Sequence, residues 1–145
     1  MSAAPPRHIA CCVAPLAAVR AAVAEASRLR LASPGRLSVV HAVRWPREAG
    51  GRTRAAALAE GWAWLRAECA PVRGAEAVLL VGEDPARAVA RWADLEGVDL
   101  IVTGEDRAGV ASGFSTRLAA RAPCRVVVAR RSAPRSTSAA RPASG

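Results

Sequence analysis

Lysine is absent from this chain: all 21 basic residues are arginine, set against 12 acidic ones for a net charge of +9. Basic charge draws phosphate without reading sequence. GC-rich coding accounts for the missing lysine equally well, so the arginines by themselves identify no dedicated reader of DNA. Aromatic residues are scarce, at 3% of the chain. The core must therefore be built from small and branched aliphatics, which suits helices lying close on a sheet. The four cysteines, Cys11, Cys12, Cys69 and Cys124, form no CxxC pair and follow no zinc spacing. Adjacent residues of a strand point to opposite faces, so Cys11 and Cys12 cannot share one metal from a regular strand. They read as small buried hydrophobes in a reducing compartment. No apolar run approaches the roughly 20 residues of a membrane span. His8 and His41 have no partner at metal or catalytic spacing, and no Ser/His/Asp set, carboxylate pair or Walker pattern is legible. These absences argue against a zinc module, a P-loop enzyme, a triad hydrolase and a membrane protein. No enzymatic activity is expected.

What is present is a chain of 145 residues, 52% hydrophobic, long enough for one domain with a real core. His8 to Val13 is a short apolar run and reads as a buried strand. Pro15 opens a helical stretch to about Leu31, with Val19, Ala22, Val23 and Ala26 on one stripe. Leu37 to Val43 is a second strand. Thr53 caps a helix to about Cys69 that carries Leu58, Trp62 and Leu65 inward and leaves Trp64 exposed. Ala75 to Val81 is the third strand. Asp84 as N-cap and Pro85 at the first helical position start a third helix, with Val89, Trp92 and Ala93 inward, and Gly97 closes it. Val98 to Thr103 is the fourth strand, Gly113 to Arg121 the last helix and Arg125 to Ala129 the last strand. Strands without polar alternation, each followed by a helix, predict an α/β fold. Its five-stranded parallel sheet is covered by helices on both faces.

With these elements in place the chain resembles the universal stress protein family over residues 8–130. The resemblance rests on His8-Ile9-Ala10-Cys11-Cys12-Val13-Ala14, Leu37 to Val43, the helix start Gly82-Glu83-Asp84-Pro85-Ala86, the run Val98-Asp99-Leu100-Ile101-Val102-Thr103-Gly104, and the closing Ala122 to Val128. It implies a Rossmann-like fold of the adenine-nucleotide alpha hydrolase type, cytoplasmic and engaged in the stress response. Nucleotide binding in this family uses a loop after the fourth strand with the pattern Gly, two residues, Gly, nine residues, Gly and Ser or Thr. Glycines there let backbone N–H groups approach phosphates at a helix N-terminus.

The matching positions here are altered. Gly104 is kept, but Arg107 replaces the second glycine, and Ser112-Gly113 inverts the closing pair after a stretch about five residues short. Ala14 takes the place of a first-strand aspartate. Glu105 and Asp106 follow Gly104 directly, and each carboxylate beside a phosphate costs on the order of 1–4 kcal/mol at intermediate dielectric. A vestigial pocket of Ala14, Val43, Gly104, Arg107, Gly113 and Ser115 is expected, with no cofactor and no ATP. The alternative is an ATP or AMP site rebuilt around Arg107 and the Ser112 and Ser115 hydroxyls, with slow ATP hydrolysis. The resemblance also implies a homodimer through the closing strand Arg125 to Ala129, beside an unidentified protein partner. Residues 1–7 read as an N-terminal arm and residues 131–145 as a disordered basic tail. Contact of that tail with nucleic acid is a lesser alternative.

Overall fold

The computed structural model describes residues 5–14, 18–32, 35–45, 53–105 and 113–130. Strands and helices alternate from the first element to the last: β1 (His8–Cys12), α1 (Val19–Ala32), β2 (Arg36–Arg44), α2 (Arg54–Cys69), β3 (Glu76–Gly82), α3 (Pro85–Leu95), β4 (Leu100–Gly104), α4 (Phe114–Arg121) and β5 (Arg125–Ala129). All strands pair in parallel in the order β3-β2-β1-β4-β5. The fold class expected from the sequence is thus present, with β5 at one edge and β3 at the other.

The pleat sorts alternate residues into two cores. On one face Ile9, Cys11, Leu37, Val39, Leu100 and Val102 pack under Ala22 and Ala26 of α1 and Leu65 of α2. On the other, Ala10, Cys12, Val40 and Ile101 pack under Ala86, Val89 and Ala93 of α3 and Leu118 of α4. Cys11 and Cys12 therefore belong to different cores. Burial pushes the Cys11 thiol up to about 12 and the Cys12 thiol well above its ordinary value. Alanine on the sheet-facing stripes of α1 and α3 lets the helices approach closely, as scarce aromatics require.

Local signals set most boundaries. The Thr53 hydroxyl accepts from the Ala56 N–H at 3.1 Å and starts α2. The Asp84 carboxylate accepts from the Arg87 N–H at 3.3 Å and starts α3, with Pro85 in its first turn. Gly97 ends that helix with φ of +65°, a conformation few other residues adopt. Two expectations need correction. The fourth strand starts at Leu100, not Val98, because Asp99 is engaged in holding β1: its carboxylate accepts from the Arg7 and His8 N–H groups at 2.6 and 3.0 Å, and its own N–H donates to the His8 carbonyl. Trp64 is half-buried, packed against the first core with its ring 4.6 Å from that of His41. The helical opening expected at Pro15 and the tail of residues 131–145 lie outside the described residues. Among the described residues, no helix is long and apolar enough to cross a membrane.

Candidate functional site

The strand order reverses between β1 and β4: β2 and β3 build out from one, β5 from the other. In an open parallel sheet, such a switch point leaves a crevice at the carboxyl ends of the strands, because the two following connections depart in opposite directions. Ala14 follows β1 and Gly104 ends β4 at this point, and Cys12 and Thr103 are the last register partners before it. Val43 lies near the carboxyl end of β2, half-buried. Gly113 caps α4 and Ser115 is in its first turn. The expected site residues thus gather on one end of the sheet, except Arg107, which lies outside the described residues with its neighbours 106–112.

Gly104 is held by packing on its neighbours. A Cβ at this position would overlap the Ala18 carbonyl oxygen and stand 2.7 Å from the Ala18 carbonyl carbon. The main chain leading into α1 lies directly on β4, and only glycine permits that approach. Hydrogen bonds lock the contact. The Glu105 carbonyl accepts from the Ala18 N–H at 3.1 Å, and the Glu105 N–H donates to the Ala129 carbonyl of β5 at 2.9 Å. On the opposite side the buried Ser115 hydroxyl donates to the Gly104 carbonyl at 3.2 Å and lies 3.4 Å from the Thr103 hydroxyl oxygen. The first amide beyond Gly104 and the Ser115 hydroxyl proton, two groups suited to phosphate, are thereby spent inside the protein.

Around Ala14 the surroundings are also closed by internal bonds. The Val13 N–H donates to the Val40 carbonyl at 2.8 Å, and His41 Nδ1–H donates to the Val13 carbonyl at 3.1 Å. Burial holds the His41 ring below its ordinary histidine value, and the Val13 carbonyl opposes that only in part. With the Trp64 indole against it, His41 fixes the chain leaving β1. Neither the Trp64 partner of His41 nor the role of Ala18 carries a signal in the linear sequence. One feature favours an anion. The α4 N-terminus has Gly113 as a cap with no side-chain hydrogen bond, and its first turn holds no acidic residue. Among the described residues, no group of three or more His, Cys, Asp or Glu side chains is placed to hold a metal ion.

Compared with known proteins, residues 6–130 match the sequence profile of the Universal stress protein family. The chain belongs to that family. Solved universal stress proteins share its fold. One in complex with cAMP is 20% identical, covering 86% of this chain and 97% of that one, with a TM-score of 0.68. Universal stress protein UspA from Lactobacillus plantarum is 19% identical over 88% of this chain and 100% of its own, with a TM-score of 0.69. The universal stress protein from Archaeoglobus fulgidus in complex with dAMP is 19% identical over 84% and 95%, with a TM-score of 0.59. No curated protein matches by sequence. As a universal stress protein, the chain has Gly104 and the start of α4 at its fold's switch point.

Proposed function

We propose that this universal stress protein is a regulatory binding module of the stress response that performs no catalysis, does not bind ATP and acts through protein contacts. The observation that supports the reading is the internal use of the loop's phosphate-directed groups: the Glu105 N–H is held by Ala129 and the Ser115 hydroxyl proton by Gly104. Phosphate would have to displace those bonds beside a loop whose sequence opens with Glu105 and Asp106, and the Ala14 side chain offers no polar atom in return. Such a module works by presenting surface, and the exposed edge of β5 is the natural place for self-pairing into a homodimer.

A second reading keeps an adenine mononucleotide, AMP or a relative of it. It is favoured by the N-terminus of α4, whose Gly113 cap makes no side-chain hydrogen bond and whose first turn holds no acid, and by the cAMP and dAMP complexes of similar proteins. A single phosphate asks less of the loop than a triphosphate. Thermal unfolding with millimolar ATP and magnesium, and separately with AMP or cAMP, distinguishes the readings, since a ligand bound only by the native state raises the melting temperature. The expected result is no shift with any of them. A shift of several degrees with AMP or cAMP alone establishes the second reading, and one with ATP overturns the first.

A further inference from the structure

The β3 edge of the sheet carries none of the usual guards. β1 and β4, at the centre, are buried at every position, whereas Ala77 to Gly82 of β3 are half-buried and Glu76 is exposed. The strand's interior, Ala77-Val78-Leu79-Leu80-Val81, holds no charge, proline or glycine. Those are the devices by which an edge ordinarily refuses a further strand. α2 lies close over it: a Cβ at Gly61 would stand 2.8 Å from Val43 Cγ2 and 3.2 Å from Leu79 Cδ1. The helix thus holds β3 from one face and leaves its outer side open.

One hydrogen bond fixes the direction of every backbone group along this edge. The Trp45 N–H donates to the Gly82 carbonyl at 3.1 Å, so Gly82 turns its backbone groups toward β2. The N–H and C=O of a strand residue share one side, and successive residues alternate. Val78 and Leu80 therefore bond to β2, while Ala77, Leu79 and Val81 direct N–H and C=O outward. Among the described residues, no strand lies beyond them.

We propose that this edge takes a second copy of the same strand, antiparallel about a two-fold axis through Leu79, joining two five-stranded sheets into one. The register is self-complementary. Leu79 meets its counterpart, and Ala77 and Val81 meet each other twice, so every outward residue enters a hydrogen-bonded pair, about six bonds in all. Side chains agree with that register: Ala77 lies beside Val81 and Val78 beside Leu80, apolar on apolar. Charge selects the antiparallel sense. Glu76, bound by the Arg36 Nε–H at 3.1 Å, falls opposite Gly82, whose row continues to Arg44 on β2. Parallel pairing would set two Glu76 carboxylates side by side, whereas antiparallel pairing parts them by roughly 20 Å. One strand per copy makes a small, transient contact, with a dissociation constant on the order of 0.1 mM. The contact goes beyond the β5 homodimer and does not depend on it. Because β5 is the opposite edge, dimers made there would join end to end through β3 as the chain accumulates.

The test is analytical ultracentrifugation of the full chain between about 10 μM and 1 mM, which brackets that constant. Average mass should rise with concentration in the wild type. In Val128→Lys, altered at the β5 edge, it should rise from monomer toward dimer. Ala77→Pro should abolish the rise in a chain that still folds. Its N–H points outward, so proline breaks no bond to β2 but denies one to the incoming strand. Hydrogen exchange in the wild type tests the same contact without a variant. The Ala77, Leu79 and Val81 amides should exchange several-fold more slowly at the high concentration than at the low, with Val78 and Leu80 unchanged. A rise from monomer to dimer that Ala77→Pro abolishes would support this edge and remove the β5 contact. A rise that persists in folded Ala77→Pro would overturn the proposal. Constant mass with equal exchange at both concentrations would also overturn it, and would leave the edge to a strand of another protein.

Discussion

Gly104 illustrates how one residue can satisfy a family pattern for a reason other than ligand binding. Its missing Cβ is occupied by the Ala18 main chain, so the glycine is needed even with no phosphate present. Gly104→Ala should therefore destabilise the fold by about 1–3 kcal/mol through overpacking against rigid backbone. The check is a lower urea midpoint at an unchanged m-value, measured without nucleotide. An unaffected midpoint would mean that α1 does not approach β4 this closely. Ser115 follows the same logic, since its hydroxyl ties the first turn of α4 to the end of β4. His8 is another residue whose role is internal. It is buried between the Ser38 hydroxyl at 2.8 Å and the Glu96 carbonyl at 3.2 Å, so it joins β1, β2 and the end of α3.

Among the elements, α3 and α4 meet through a charged cap. The Asp84 carboxylate lies below its ordinary value of 3.8, first through the Arg87 N–H that it caps and then through Arg121 of α4. A lowered native value means that the unfolded chain takes up a proton more readily than the folded one. The stability this contributes is present above pH 3.8 and is lost as pH falls through the lower native value. Asp84→Asn keeps a good N-cap but removes the charge. Wild type should exceed this variant in melting temperature at pH 6, and the difference should shrink progressively as pH falls below 3.8. A difference that persists in acid would show that the charge is not its source. The cap itself was legible in Asp84-Pro85, because helix starts depend on residues next to one another. Its pairing with Arg121, 37 residues away, depends on how α3 and α4 pack and was not.

At the scale of the whole molecule, the open question is what covers the β5 edge. Val128 is 43% exposed, an unusual position for valine on a strand, and the flanking arginines keep that edge from indiscriminate pairing. For the homodimer proposed through this strand, light scattering should give a dimer mass, and Val128→Lys should give a folded monomer. A monomeric wild type would remove the dimer and leave the arginines as gatekeepers.

Hydrophobic pattern and turn residues determined by themselves the order of nine elements, the parallel sheet and the caps at Thr53 and Asp84. These follow from periodicity and short-range hydrogen bonding, which neighbouring residues carry. The family resemblance extended that to the loop after β4. Tertiary structure alone decided that Ala18 fills the space over Gly104, that Ala129 and Gly104 take the loop's donors, and that Trp64 turns inward onto His41. It also brought Arg121 against Asp84, 37 residues away. Each of these joins residues far apart in the chain, and only the packing of the sheet against its helices brings such residues within reach.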